Sequence, residues 1–323
     1  MGLESVIPVI TFSDELKPGT TEWDSVRARV RQALQEYGCF EALFDKIPSE
    51  LRKSMMGATR EMLDIPMEKK TAVTSDNEPF GTGYTGKSSR ASWETMGIED
   101  VIIPENVTRF TNRLWPEGNT GNPSFDKTVG VFSEKVAELD QMIRRMVLES
   151  FGIEKYYDEH IDKSRYGLRA MKYEASENVL LENMDSNEVV LIPHTDKNIL
   201  TILCQTGEID GLEVQTKDGK WINVNPSPDS FVVMLGDSFH AWTNGHLQAP
   251  IHRVVMPLHE TRYSVGLFSN PKAGYIIKAP DELVDEEHPV RFKPFDYKEY
   301  LNFFATKKGY TSHQSGIKVF CGV

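Results

Sequence analysis

Apolar residues in the first half of the chain recur every three or four positions, the spacing that places them on one face of a helix. This pattern predicts a helix over residues 21–37 that begins with Thr21 and Asp24 as a capping pair. The longest apolar stripe predicts a helix over residues 125–151, which Gly152 ends and which supports the rest of the fold. Residues 1–160 are therefore predicted to be mostly helical. Further helices are expected over residues 49–63, from Pro66 onward, and over residues 296–307.

After Lys163 the period of the pattern changes to two, which is typical of strands with one buried face. Turn signals such as Lys217-Asp218-Gly219 and Asn244-Gly245 separate the runs. Short strands at this spacing favour a double-stranded β-helix, or jelly roll, with flanking helices. The predicted strands cover residues 165–173, 189–193, 199–204, 212–215, 221–224, 231–235, 251–257 and 262–269.

These patterns divide the chain into four regions. Residues 1–120 form an N-terminal helical and loop region, with a glycine-rich loop system over 76–104 near an opening. Residues 121–164 form the supporting long helix, and residues 165–271 form the jelly-roll domain. Residues 272–323 form a C-terminal helical cap, in which Tyr300, Phe303 and Phe304 are expected at the mouth of the barrel.

Composition narrows the function classes. The 323 residues include 36 basic and 48 acidic side chains, and the net charge of -12 argues against nucleic-acid or anionic-membrane partners. Three widely separated cysteines suit a reducing compartment. The sequence has neither a signal-peptide pattern nor a membrane-length apolar run, so we expect a cytoplasmic protein. We also expect it to be a monomer.

The residues with the most informative chemistry are His194, Asp196 and His252. On an extended strand, side chains two residues apart point the same way, so His194 and Asp196 can face one point. His252 lies in a second β-branched run and can supply a third ligand. Two histidines and one carboxylate leave other coordination positions open, which is the pattern of non-haem Fe(II) oxygenases.

Arg262 and Ser264 form a second pair at this spacing. A guanidinium beside a hydroxyl can receive a carboxylate, because arginine binds carboxylates in a bidentate manner and stays charged. An iron enzyme with a dicarboxylate cosubstrate needs such a group.

With these residues the chain resembles the plant Fe(II)- and 2-oxoglutarate-dependent dioxygenases, from Ile7 to about Phe304. Within that family it is most similar to the enzymes that make alkenyl and hydroxyalkyl glucosinolates, and it also resembles deoxypodophyllotoxin synthase and related alkaloid oxidases. The matching stretches are Leu200 to Leu203, Gly211 to Val214, Leu235 to Asp237, Thr243 to Gly245, and His252 to Val254.

The resemblance implies a jelly roll that uses Fe(II), 2-oxoglutarate and O2, with ascorbate as an assay aid. It implies oxidation of an unactivated C–H bond of a small plant specialised metabolite, with succinate and CO2 as co-products. It implies that His194, Asp196 and His252 bind iron and that Arg262 and Ser264 bind 2-oxoglutarate. Tyr173 matches the tyrosine of the family's Asn-x-Tyr-Pro motif near the cosubstrate, whereas Met171 stands where the family usually has asparagine. The candidates for the substrate pocket are Phe268, Tyr84, Trp93, Phe303 and Phe304.

Two alternatives remain open at this level. Two histidines and a carboxylate also form catalytic zinc sites, so a zinc hydrolase is possible, although no general base stands beside the ligands. A jelly-roll binding protein with a vestigial metal site is the non-enzymatic alternative. The other histidines are interpreted as structural or solvated: His160, His240, His246, His259, His288 and His313.

Overall fold

The computed structural model describes residues 6–74, 83–86, 93–174, 187–205, 209–257, 259–304, 306 and 316–321. Residues 76–82 and 87–92 of the predicted loop over 76–104 lie outside these ranges, and so does His313. Within the described ranges, no helix is both long enough and apolar enough to cross a membrane.

The helices follow the apolar stripes of the sequence, and those predicted over residues 21–37, 49–63 and 125–151 are confirmed within a residue. The first is capped by Thr20, whose hydroxyl accepts from the amide of Trp23, and not by Thr21 and Asp24. The α-helices are α1 (Thr21–Glu36), α2 (Ser49–Asp64), α3 (Met67–Thr71), α4 (Pro104–Leu114), α5 (Phe125–Ser150), α6 (Tyr157–Asp162), α7 (Asp237–Trp242), α8 (Tyr297–Phe304) and α9 (Gly316–Cys321).

All eight strands predicted after Lys163 are present, within two residues at each end. The strands are β1 (Val9–Phe12), β2 (Cys39–Phe44), β3 (Gly83–Thr85), β4 (Trp93–Ile98), β5 (Ser164–Tyr173), β6 (Asn187–His194), β7 (Leu200–Gln205), β8 (Leu212–Gln215), β9 (Trp221–Asn223), β10 (Ser230–Leu235), β11 (His252–Pro257), β12 (Arg262–Pro271), β13 (Ile276–Ile277) and β14 (Phe295–Asp296).

The strands form two main sheets. The larger has the order β1-β2-β10-β7-β12-β5-β4-β3, and the smaller has the order β6-β11-β8-β9. β13 and β14 form a separate pair. Neighbouring strands are antiparallel except β1 and β2. This architecture confirms the predicted jelly roll with flanking helices.

The first four strands were not predicted, and the expectation of a mostly helical N-terminal region was wrong to that extent. The expectation of a loop over 76–104 was wrong where β3 and β4 lie. β1 and β2 extend one edge of the larger sheet, and β3 and β4 extend the other. Five of the six residues of β2 are buried, so the strand lacks the alternation of polar and apolar residues that marks a half-exposed strand.

Helix α5 supports the larger sheet, as its apolar stripe predicted. Its buried residues Val129, Phe132 and Val136 belong to the main hydrophobic core, and Phe132 contacts Phe231 of β10 at a ring-centroid distance of 6.2 Å. Helices α1, α2 and α4 pack against α5. The helical layer therefore covers one face of the sheet.

Candidate active site

The two histidines of the predicted metal site lie opposite each other at neighbouring strand ends. His194 is the last residue of β6 and His252 is the first of β11, and the two are paired in the antiparallel register. Oδ1 of Asp196 lies 3.9 Å from Nε2 of His194 and 3.8 Å from Nε2 of His252. One potential ligand atom of each residue lies within 4.8 Å of the others. The three residues that the sequence singled out are thus close enough to hold one metal ion.

Hydrogen bonds orient these three side chains. Nδ1 of His194 lies 2.8 Å, and Nδ1 of His252 lies 3.2 Å, from the backbone carbonyl two residues earlier. A carbonyl only accepts, so Nδ1 carries the proton in both rings and Nε2 keeps its lone pair. The Thr201 hydroxyl donates to Oδ2 of Asp196 at 2.6 Å. These contacts present both Nε2 atoms and Oδ1 of Asp196 to the same point.

The charge states also suit metal binding. Burial and the neighbouring His252 lower the pKa of His194 to about 3, so that its imidazole is neutral. Burial acts to raise the pKa of Asp196, but His252, His194 and the Thr201 hydroxyl outweigh it and the pKa is lowered. A neutral imidazole and an ionised carboxylate are the forms that bind metal ions.

The loop between His194 and Asp196 is tied to the C-terminal cap. The buried carboxylate of Asp237 accepts hydrogen bonds from Thr195 at 2.9 Å and from Tyr300 of α8 at 2.6 Å. Lys197 lies 3.4 Å from the same carboxylate oxygen. The cap therefore contributes to the position of the candidate ligands through Asp237.

The predicted carboxylate receptor lies on β12. Arg262 is 4% exposed, and its Nη1 donates to the Ser264 hydroxyl at 3.4 Å. Its Nη2 donates to Oε1 of Gln205 on β7. Nε of Arg262 and Nε2 of Gln205 are buried without a hydrogen-bond partner among the described residues, and no described carboxylate lies within ion-pair distance of Arg262. A buried guanidinium with unused donors fits a carboxylate ligand.

Tyr173 and Met171 stand beside this receptor on β5. Tyr173 is paired with Arg262 across β5 and β12, and the Arg262 guanidinium lies 5.5 Å from the tyrosine ring centroid. The Tyr173 hydroxyl contacts Sδ of Met171 at 4.0 Å. Burial raises the pKa of Tyr173, so the hydroxyl stays protonated and can donate.

One cavity of about 580 Å³ lies between the two main sheets. It is lined by all six residues that the sequence assigned to the metal and the cosubstrate: His194, Asp196, His252, Arg262, Ser264 and Tyr173. Of the predicted pocket residues, Phe268, Trp93 and Phe304 also line it. This volume lies in the range of small-molecule sites.

Tyr84 and Phe303 are not among the lining residues of the cavity. The Tyr84 hydroxyl donates at 2.9 Å to the buried carboxylate of Glu94, which also accepts from Lys70. Phe303 packs against Phe304 and Phe320. Both residues therefore have contacts of their own within the fold, and neither lines the cavity as the sequence had suggested.

Several lining residues were not singled out in the sequence, including Thr95, Arg169, Asn270 and Tyr297. Arg169 could have been identified from the sequence, because it lies four residues before Tyr173 on the same strand and the two side chains therefore share one face. Asn270 was identifiable in the same way, because it lies two residues after Phe268 on β12.

Two family models match the chain. The 2OG-Fe(II) oxygenase superfamily matches residues 149–271, and the N-terminal region described as "non-haem dioxygenase in morphine synthesis" matches residues 7–107. Among curated proteins, the probable 2-oxoglutarate-dependent dioxygenase AOP1.2 of Arabidopsis thaliana is 49% identical over 315 residues, covering 97% of this chain and 95% of its own. The 2-oxoglutarate-dependent dioxygenase AOP3 of the same plant is 36% identical and covers 98% of this chain and 97% of its own.

Solved structures agree with this assignment. The rice dioxygenase for auxin oxidation has a TM-score of 0.79 and 29% identity, covering 97% of this chain and 98% of its own. JOX2, solved in complex with 2OG, Fe and JA, shares the fold with a TM-score of 0.77 and 23% identity, covering 96% of this chain and 90% of its own. The chain therefore belongs to the 2OG-Fe(II) oxygenase superfamily and is an Fe(II)- and 2-oxoglutarate-dependent dioxygenase.

Proposed function

We propose that His194, Asp196 and His252 bind the catalytic Fe(II). The observation that carries this proposal is the convergence of their ligand atoms within 4.8 Å at one end of a cavity that also contains Arg262 and Ser264. Two histidines and one carboxylate on one side of an iron leave positions for the cosubstrate and O2. The hydrogen bonds at Nδ1 of each histidine hold both rings in the tautomer that binds metal through Nε2.

Arg262 and Ser264 bind the distal carboxylate of 2-oxoglutarate, with Tyr173 beside them. The unused donors of Arg262 and Gln205 support this assignment, since a carboxylate satisfies such donors better than any described residue does. Met171 replaces the usual asparagine by a thioether, so Tyr173 supplies the polar contact on this strand.

The bound iron and cosubstrate supply the oxidation of an unactivated C–H bond. In the hydroxylation, substrate, 2-oxoglutarate and O2 give hydroxylated product, succinate and CO2. The protein orients the reactants and excludes bulk water with the apolar wall of the cavity. Desaturation, demethylation and ring closure are further outcomes of the same C–H oxidation.

The substrate is a small plant specialised metabolite, and Phe268, Trp93 and Phe304 form part of its pocket. The net charge argues against nucleic-acid and membrane partners, and the cysteine content suits a reducing compartment such as the cytoplasm. The protein acts as a monomer in this proposal. The protein has four regions in this proposal: an N-terminal region (1–120), a supporting helix (121–164), a dioxygenase domain (165–271) and a C-terminal cap (272–323). The family assignment favours this function over the zinc hydrolase and the non-catalytic binding protein.

The test begins with an anaerobic titration of the protein with Fe(II) and 2-oxoglutarate. The complex is then exposed to oxygen in the presence of a panel of plant alkaloids, lignans and other specialised metabolites. We expect at least one compound to be oxidised in proportion to the succinate formed. Failure of the protein to bind 2-oxoglutarate in the presence of Fe(II) contradicts the proposed site.

A further inference from the structure

A second arginine stands in the same cavity, outside the cosubstrate receptor. Arg169 lies on the central part of β5, where its register partners are Gly97 on β4 and Gly266 on β12. Neither glycine has a side chain that can cover it. Its guanidinium carbon lies 5.4 Å from the ring centroid of Phe268, another lining residue. Leu203 and Phe268 fill the space over Gly266, and Arg169 lines the cavity beside them.

The other charged groups at this end of the cavity are already paired. Glu99 lies 3.3 Å from Nη1 of Arg165, and Lys197 lies 3.4 Å from Asp237. In the described chain, Arg169 has neither a carboxylate within ion-pair distance nor a hydrogen-bond partner. Burial lowers the pKa of Arg169, while the charge of Glu99 acts in the opposite direction.

The charges of the cofactor site do not balance Arg169. With iron and cosubstrate in place, the charges of Fe(II), Asp196, 2-oxoglutarate and Arg262 cancel. Glu99 with Arg165, and Lys197 with Asp237, each form a neutral pair. Arg169 therefore leaves one positive charge without compensation among the described residues of the cavity. Arg169 is partly buried, and an unpaired charge beside apolar side chains is unfavourable unless an opposite charge joins it.

We propose that the substrate carries a carboxylate and that Arg169 binds it. This inference rests on the proposed function, because it assigns the substrate of that same site. The face of the guanidinium lies against Phe268, so its N–H edge remains available for a planar carboxylate in the bidentate geometry. The apolar lining side chains, such as Trp93 and Val254, then contact the hydrocarbon part of the molecule.

The experiment measures anaerobic binding of matched acids and primary amides to the protein loaded with Fe(II) and 2-oxoglutarate. The probes are benzoate, phenylacetate and cinnamate with benzamide, phenylacetamide and cinnamamide, each pair in competition by equilibrium dialysis at millimolar concentration. We expect an acid to bind about ten- to a hundred-fold more tightly than its amide, the range expected for hydrogen bonds to a charged partner.

Variants assign the preference to Arg169. In Arg169→Gln the preference for the acid is lost. In Arg169→Lys part of it remains, because lysine keeps the charge but cannot form the two parallel hydrogen bonds of a guanidinium. Arg145→Gln, on the surface of α5, removes an arginine outside the cavity and keeps the full preference. Circular dichroism of each variant checks that it is folded.

Binding of 2-oxoglutarate, measured in the same samples, separates the two levels of the argument. If the wild type does not bind 2-oxoglutarate, the proposed function fails. If it binds 2-oxoglutarate but no acid, or binds acids and amides equally, only the carboxylate inference fails. The inference is also overturned if Arg169→Gln keeps the preference for the acid, or if this variant loses 2-oxoglutarate binding, which would assign Arg169 to the cosubstrate.

Discussion

His252 lies directly opposite His194 in the pair formed by β6 and β11, and the ring centroids of the two imidazoles are 4.2 Å apart. The pairing of two strands thus brings together residues far apart in the chain. Asp196 lies two residues beyond the end of β6, with its Oδ1 within 4 Å of Nε2 of both histidines. The proposed metal site therefore depends on sheet register.

Replacement of His194, Asp196 or His252 by alanine is expected to abolish iron binding and turnover while the fold is kept. The hydrophobic core lies elsewhere and does not need an ion. Iron content per chain after anaerobic loading and gel filtration measures the first effect, and circular dichroism measures the second. His288→Ala, at an exposed position, serves as the control and keeps its iron. Full iron content in Asp196→Ala and both histidine variants would contradict the assignment.

Arg262→Lys is expected to raise the KM for 2-oxoglutarate by about tenfold or more. Lysine keeps the charge but cannot bind a carboxylate with two parallel hydrogen bonds. Steady-state kinetics with varied 2-oxoglutarate checks this. The control is Arg253→Lys, at an arginine of β11 that pairs with Glu213. An unchanged KM in Arg262→Lys removes this residue from its assigned role.

Lys70→Met is expected to lower the free energy of unfolding by about 3 kcal/mol, because it leaves the buried carboxylate of Glu94 without its main partner. The two side chains form an ion pair at 2.8 Å and are 7% and 1% exposed. Addition of Glu94→Gln should recover part of the loss. Urea denaturation measures both effects, and Lys53→Met, in an exposed pair with Glu50, should change little. Equal stability of Lys70→Met and wild type would show that the pair is unimportant.

Mild acid is expected to destabilise the protein through His160. This buried imidazole accepts a hydrogen bond from Arg144 at 3.1 Å, and burial and the arginine charge hold its pKa well below its usual range. Above pH 6.5 the histidine is neutral in both the folded and the unfolded chain, so its titration does not reduce the free energy of unfolding there. Below that pH the unfolded chain binds a proton that the folded chain does not, so stability falls by about 1.4 kcal/mol per pH unit.

The melting temperature as a function of pH checks this expectation. His160→Gln should reduce the slope between pH 6.5 and pH 5, whatever its effect on stability at neutral pH. His288→Gln, at an exposed histidine, should leave the slope unchanged. A wild-type slope in His160→Gln would assign the acid sensitivity to other groups.

The sequence predicted the jelly roll better than the N-terminal strands for a physical reason. Strands β5 to β12 have alternating patterns or clear turn signals between them, so local information defines them. Strand β2 is buried almost throughout, and β3 is only three residues long. These strands are stabilised by pairing with partners distant in the chain, which a local pattern does not reveal.

The residues of the candidate site also differ in how well the sequence predicts them. His194 with Asp196, and Arg262 with Ser264, were recognisable because each pair has the spacing of one strand face. Phe303 and Phe304 are neighbours on α8, and only Phe304 lines the cavity. The rotation of that helix depends on tertiary packing such as the contact of Tyr300 with Asp237.

The most direct test of the central claim is the amount of succinate formed by the wild type with Fe(II), 2-oxoglutarate, O2 and an accepted substrate. The comparison is with reactions that lack one component, and with Asp196→Ala supplied with all four. We predict that succinate rises in step with oxidised product only in the complete wild-type reaction. Full turnover in anaerobic buffer, without the cosubstrate, or by Asp196→Ala would contradict the account.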